Sequence, residues 1–96
     1  INLSTEQRQK FANISRCVVK LGLTIQVVGH TDNTGNADAN LQLGQKRANF
    51  VKDYLITNGI LQENIETSSK GQNEPIADNA TEEGKAKNRR IVVTIN

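Results

Sequence analysis

Residues 23–35 read Leu23-Thr24-Ile25-Gln26-Val27-Val28-Gly29-His30-Thr31-Asp32-Asn33-Thr34-Gly35. Apolar side chains at positions 23, 25 and 27 alternate with Thr24 and Gln26, and this period of two is typical of a strand covered mainly on one side. Polar and glycine residues follow directly. We therefore predict a strand from Thr24 to Val28 that leads into a polar loop.

A helix is predicted before this strand. Ser4 and Gln7 have the spacing of a capping box, and Gly22 is the residue type that commonly ends a helix, so the helix should run to about Leu21. The single cysteine, Cys17, rules out an internal disulfide. It lies beside the apolar stripe of the helix, so we predict a packed or half-buried thiol.

A second helix is predicted from Asn40 onward, ending at Asn58-Gly59. Gly44 is the candidate N-cap, which would put Arg47 in the first turn. Backbone N–H groups without an intrahelical partner would then support Arg47 in attracting an anion. The side chains that share the core-facing side are Ala48, Val51 and Leu55.

Two more strands complete the predicted α+β fold with a mixed sheet. The first is Asn64 to Ser68, and a turn-rich passage around Gly71 and Pro75 follows it. The second lies within the β-branched run that ends at Ile95, and we predict that it is central in the sheet.

The composition predicts one domain over residues 1–96, because 35% hydrophobic side chains suffice for a single core. The net charge is only +2 and the aromatics number three (two Phe, one Tyr), so we predict no nucleic-acid partner. No apolar run reaches the roughly 18 residues of a membrane span, and no signal-peptide pattern opens the sequence. The chain is either a piece of a longer exported protein or cytoplasmic.

Asp32 and Arg47 are the candidate binding residues. A carboxylate recognises an ammonium by charge-assisted hydrogen bonds, and a guanidinium holds a carboxylate with a planar fork of donors. A molecule with both groups on one carbon would satisfy both residues. The two side chains could instead pair with each other, a tether worth about 0–1 kcal/mol. The zwitterion hypothesis requires the Asp32 carboxylate to be free of neighbouring cations.

No catalytic constellation is visible. His30 is the single histidine, and no nucleophile–base pair or metal-spaced cluster accompanies it, so we predict a protein that is not an enzyme and needs no cofactor or metal. A basic run follows near the end of the chain. In it we expect Arg90 to turn inward toward the site and Lys85, Lys87 and Arg89 to be solvated.

Five short blocks, in order over nearly the whole chain, resemble the OmpA-like peptidoglycan-binding domain. That family has a βαβαββ-type sandwich with a mixed sheet and helices packed on one face, so the resemblance implies this fold. The blocks are Gly29-His30-Thr31-Asp32-Asn33-Thr34-Gly35, Asn40-Leu41-Gln42-Leu43-Gly44-Gln45-Lys46-Arg47-Ala48, Gly59-Ile60, Pro75-Ile76-Ala77-Asp78-Asn79 and Asn88-Arg89-Arg90.

The resemblance implies non-covalent binding of peptidoglycan through the meso-diaminopimelate of its stem peptide. Asp32 would hold the ligand's ammonium and Arg47 the adjacent carboxylate, while Thr34, Asn40 and Arg90 match further positions that line the site in relatives. It also implies a periplasmic tether, attached to the outer membrane through a segment outside this chain, with other envelope proteins as further partners. A protein-interaction module of a periplasmic signalling or secretion system is the alternative.

The sequence departs from the family pattern at three points. Relatives open with an extra strand, whereas Ile1-Asn2-Leu3 leads almost directly into the first helix, so we expect that strand to be absent or truncated. Gly44 replaces a serine common at the N-cap of the second helix. Ser69 replaces the first of two glycines, and would be mildly strained if that position needs a positive φ.

Overall fold

The computed structural model describes residues 3–96, in which three α-helices alternate with three strands. This confirms the predicted α+β class with a mixed sheet. Ile1 and Asn2, where the family's first strand was expected to be absent or truncated, lie outside the described residues. The elements are α1 (Thr5–Leu21), β1 (Ile25–His30), α2 (Ala37–Thr57), a 3-10 turn (Gln62–Asn64), β2 (Ile65–Gly71), α3 (Glu82–Asn88) and β3 (Ile91–Ile95). The sequence patterns did not predict α3.

The sheet has the order β2-β1-β3, with β1 parallel to β2 and antiparallel to β3. The prediction that the last strand is central is therefore wrong for the part of the chain that the structure describes. β1 is central because its inward side chains, Ile25 and Val27, are fully buried beneath the helices while both of its edges are paired. The β-branched residues of β3 reflect strand propensity, which central and edge strands share.

Helices α1 and α2 cover one face of the sheet, as expected. The opposite face carries exposed side chains such as Gln26 and Glu66. Burying the inner face removes apolar area from water and stabilises the fold by about 25 cal/mol per Å². The buried core comprises Val18, Ile25, Val27, Ala48, Val51, Leu55, Ile60 and Ile65.

The start of α2 differs from the prediction. Asn36 is the N-cap, and its side chain accepts a hydrogen bond from the Ala39 N–H at 2.7 Å. Gly44 is a buried residue inside the helix, and Arg47 lies well beyond the first turn. The unpaired N–H groups of a helix start therefore do not assist Arg47, because that effect is confined to the first turn.

Gly44 is explained by a close backbone contact with β1. A Cβ on Gly29 would overlap the carbonyl of Gly44 and would lie 2.9 Å from its Cα. A Cβ on Gly44 would in turn lie 2.9 Å from the Gly29 carbonyl oxygen and would overlap the Ser69 hydroxyl. Glycine at both positions lets α2 approach the end of β1, where the candidate site begins.

The prediction for α1 is confirmed at both ends. Ser4 and Gln7 form the reciprocal capping box, and Gly22 ends the helix with φ 64°. The prediction for Cys17 is wrong, since its thiol is exposed. Cys17 is next to the buried residue Val18 in the sequence. Successive helical residues point about 100° apart, so Cys17 points away from the core that Val18 faces.

Candidate functional site

The Asp32 loop, residues 31–36, leaves the end of β1 beside an irregularity in the sheet. Gly29 pairs with Ser69 but His30 pairs with Gly71, so β2 contains one extra residue at this point. The Thr31 N–H donates to the Gly71 carbonyl at 2.9 Å and fixes the start of the loop. Gly71 has φ 54°, and no non-glycine residue from 3 to 96 has a positive φ, so Ser69 is not strained.

The Asp32 carboxylate is buried and both of its oxygens are engaged. Oδ1 accepts the Thr34 N–H at 2.9 Å, and Oδ2 accepts Nη1 of Arg89 at 2.7 Å. The hydrogen bond from the Thr34 backbone, followed by the interaction with Arg89, lowers the pKa of Asp32 against the opposing effect of burial. Asp32 is therefore an ionised, oriented anion, but it is already paired with a cation. The expectation of a free carboxylate is wrong.

Asn40 holds the loop in place from α2. Its side-chain nitrogen is within hydrogen-bond distance of three acceptors: the Asp32 carbonyl at 3.3 Å, the Thr34 carbonyl at 3.0 Å and Oε1 of Gln72 at 2.7 Å. The Asn40 side chain thus links the loop to the segment that follows β2. Sequence reasoning missed Gln72, because only the fold brings the segment after β2 to the loop after β1.

A second region, the cationic cavity, lies between α1, α2 and β3. It has a volume of about 530 Å³. Positively charged side chains stand above an apolar floor, and none of the residues that line it is acidic. The lining residues are Leu3, Gln7, Lys10, Phe11, Ile14, Arg47, Val51, Arg89, Arg90 and Ile91.

Arg89 joins the two regions, because it lines the cavity and also pairs with Asp32. Arg89 is exposed, as expected, with 40% of its side chain accessible to solvent, but its pairing with Asp32 was not expected. Arg90 also lines the cavity and donates to the carbonyls of Asn88 at 3.3 Å and Glu74 at 2.9 Å. Nothing in the sequence Asn88-Arg89-Arg90 distinguishes which arginine meets the carboxylate.

The five predicted site residues therefore fall into two groups. Asp32, Thr34 and Asn40 form the loop network, while Arg47 and Arg90 line the cavity. Asp32 does not line the cavity itself. Within residues 3–96, Arg47 makes no side-chain hydrogen bond and no ion pair, so Asp32 and Arg47 do not form the tether considered above.

His30 is buried at the end of β1, and its Nδ1 has no hydrogen-bond partner in the described part of the chain. Burial first, and then the nearby charge of Arg90, lower the pKa of His30, so the ring is held neutral. Across residues 3–96, no three His, Cys, Asp or Glu side chains are grouped closely enough to hold a metal ion.

Fold and site together define an α+β domain with an oriented carboxylate beside a cationic cavity. The sequence model of the OmpA family matches residues 1–89. The chain therefore belongs to the OmpA family.

Individual relatives agree with this assignment. The peptidoglycan-binding protein ArfA of Mycobacterium tuberculosis is 44% identical over 72 residues, which are 75% of this chain and 22% of that protein. The crystal structure of the peptidoglycan-associated lipoprotein from Burkholderia pseudomallei has a TM-score of 0.92 at 27% identity, over 99% of this chain and 81% of that one. The structure of the cell wall anchor of the type VI secretion system from Pseudomonas aeruginosa has a TM-score of 0.77 at 31% identity, over 96% of this chain and 67% of that one.

This chain thus spans less than a quarter of the length of ArfA, at 22%. Between residues 3 and 96, no helix has the length and apolar character needed to cross a bilayer.

Proposed function

We propose that this domain binds peptidoglycan through the diaminopimelate residue of the stem peptide and catalyses no reaction on it. The observation that carries the proposal is an oriented carboxylate, Asp32, linked through Arg89 to a cavity in which Arg47 has no side-chain partner among residues 3–96. Relatives support the ligand class, since ArfA is named a peptidoglycan-binding protein and the Pseudomonas aeruginosa structure is titled a cell wall anchor.

In this proposal Asp32 binds the ligand's ammonium and Arg47 binds the carboxylate on the same carbon. Because Asp32 is paired with Arg89, the proposal replaces the requirement for a free carboxylate with a weaker one, that acceptor sites remain: a carboxylate offers about four, and two are in use. Arg89 is partly exposed whereas Asp32 is buried, so Arg89 can move into water at low cost only if the ligand's ammonium takes its place at the carboxylate. The ammonium can therefore share or replace the contact that Arg89 makes.

The other predicted residues support these two. The Thr34 N–H orients the carboxylate, and Asn40 holds the loop by its side-chain hydrogen bonds. Arg90 supplies a further positive charge to the cavity. Sequence reasoning placed all three at the ligand, and the geometry favours an orienting role for Thr34 and Asn40.

The affinity for one stem peptide should be modest. Two or three charge-assisted hydrogen bonds contribute roughly 1.5–3 kcal/mol each, and the entropy of association offsets much of this. Firm attachment would come from avidity, because the wall repeats the ligand and a membrane-held parent protein keeps the domain close to it. We accordingly propose a periplasmic tether between the outer membrane, or an envelope complex, and the cell wall.

The proposal is tested by retention on purified sacculi. We expect Asp32→Ala and Arg47→Ala each to abolish retention while circular dichroism shows an intact fold. Lys46→Ala is the matched control, because Lys46 is exposed on α2 beside Arg47 and does not line the cavity. Normal retention of both site variants would refute the site.

The Asp32–Arg89 pair favours one other function, a module for protein partners in which the carboxylate is permanently occupied. Free diaminopimelate separates the two. It should compete with sacculi for a wall-binding domain, whereas binding to a protein partner outside the site would not respond.

A further inference from the structure

The cationic cavity carries more positive charge than one ligand carboxylate would neutralise. Lys10, Arg47, Arg89 and Arg90 line it, and no Asp or Glu does. Arg89 is matched by Asp32. Three cations therefore remain without an acidic partner inside the cavity.

The contacts of these three cations leave donors available. Within residues 3–96, neither Lys10 nor Arg47 takes part in a side-chain hydrogen bond or a salt bridge. Among the described residues, the Arg90 side chain donates only to two backbone carbonyls, which are neutral acceptors. A guanidinium has five N–H donors, so Arg90 can still bind an anion.

A ligand with one ammonium and one carboxylate would bring no net charge to this cavity. The mutual repulsion of Lys10, Arg47 and Arg90 would then persist, because no acidic side chain lines the cavity to offset it. A second carboxylate on the ligand would reduce that repulsion and accept charge-assisted hydrogen bonds.

We propose that the cavity binds a peptide with at least two carboxylates, and that Lys10 and Arg90 hold the second one while Arg47 holds the first. The inference rests on the proposed function and specifies its ligand. It predicts that amide capping of the second carboxylate weakens binding. A primary amide has no charge, and its N–H groups cannot accept hydrogen bonds from Lys10 and Arg90.

The dimensions of the cavity fit a ligand larger than one amino acid. Its volume of about 530 Å³ lies within the roughly 300–1,000 Å³ of small-molecule sites. The apolar floor would contact the aliphatic carbons between the charged groups. The floor consists of Phe11, Ile14, Val51 and Ile91.

The test is an NMR titration of the isotope-labelled chain with two synthetic diaminopimelate-containing stem peptides. In one peptide every carboxylate is free. In the other, only the carboxylate beside the free ammonium remains and the rest are primary amides. We expect the capped peptide to bind about tenfold more weakly, the loss of roughly one charge-assisted hydrogen bond.

Two variants assign the preference to residues. Lys10 is exposed and makes no polar contact within the described chain, so the Lys10→Gln variant should fold normally. It should show a smaller preference for the peptide with free carboxylates over the capped peptide. Arg90→Gln should bring the two affinities close to each other. Lys46→Gln, on an exposed part of α2 outside the cavity, should keep the full preference.

Each outcome decides a separate point. Equal affinity for the two peptides would overturn this inference and leave the proposed function standing. Failure of both peptides to bind would overturn the proposed function as well. A preference that Lys10→Gln and Arg90→Gln both leave unchanged would show that other groups read the second carboxylate, which would overturn the assignment.

Discussion

The Asp32 loop and the cationic cavity are neighbouring regions whose polar groups are satisfied to different degrees. In the loop, both Asp32 oxygens are engaged and the Asn40 amide meets three acceptors. In the cavity, Lys10 and Arg47 have no polar partner within residues 3–96. A satisfied network keeps one geometry, whereas unpaired cations in a concave site are open to an external anion.

The largest expected effect comes from Gly29, whose contact with α2 supports both regions. Gly29→Ala should reduce the free energy of unfolding by about 3 kcal/mol, because the added methyl group meets backbone atoms that cannot rotate away. Urea denaturation measures the loss. Gln26→Ala, on the exposed face of the same strand, should change it by less than about 0.5 kcal/mol. A Gly29→Ala protein of normal stability would contradict the close contact.

Asn40→Ala should remove the hydrogen bonds that hold the Asp32 loop, while leaving the residues that line the cavity in place. Removing the amide leaves the carbonyls of Asp32 and Thr34 without this donor, so we expect a loss of about 2 kcal/mol in stability. The chemical shifts of residues 31–36 should change much more than those of α1. Equal perturbation of both regions would show that they are not separate networks.

Acid should lower the free energy of unfolding through protonation of Asp32 in its loop. Its pKa is lowered in the folded protein, so near and below the ordinary value of about 4 the unfolded chain binds more protons than the folded one. The stabilisation is therefore complete above that pH and is lost as the pH falls through the lowered pKa. Urea titrations across this range should show a smaller pH dependence for Asp32→Asn. An identical pH dependence would rule out this contribution.

The smallest effect is expected from Arg89, the residue common to both regions. Arg89→Gln should cost about 1 kcal/mol, because the Arg89 side chain is partly exposed and a glutamine amide can still donate to the buried Asp32 carboxylate. The pKa of Asp32 should rise but stay below its ordinary value, since the Thr34 N–H is the larger cause of the shift. NMR titration of the Asp32 carboxyl carbon measures this. If the pKa of Asp32 returned to its ordinary value, Arg89 rather than the Thr34 N–H would be the larger cause of the shift.

The local signals in the sequence were sufficient for much of the fold. The α1 capping box and Gly22 predicted both ends of that helix, because caps are decided by residues within one turn. The period of two at residues 23–28 predicted β1, although the strand begins at Ile25 and continues to His30. β2 likewise extends to Gly71, beyond the predicted end, because the irregular pairing with β1 continues the ladder.

Errors arose where a distant contact overrides the local signal. Gly44 was interpreted as an N-cap, and only its contact with Gly29 shows that it lies inside α2. The position of β3 in the sheet, at the edge, is likewise set by which strands pair, and the composition of a strand does not encode that.

By itself the sequence determined the α+β class, the family resemblance and the residue types of the site, since these depend on periodicity and spacing along the chain. Only the tertiary structure decided which cation meets Asp32. Arg47 and Arg89 are both candidates by charge, but the approach of β3 to β1 brings Arg89 to the carboxylate, and Arg47 lines the cavity without a partner among residues 3–96. Such pairings depend on distances of a few ångströms between residues far apart in sequence, which a linear pattern does not specify.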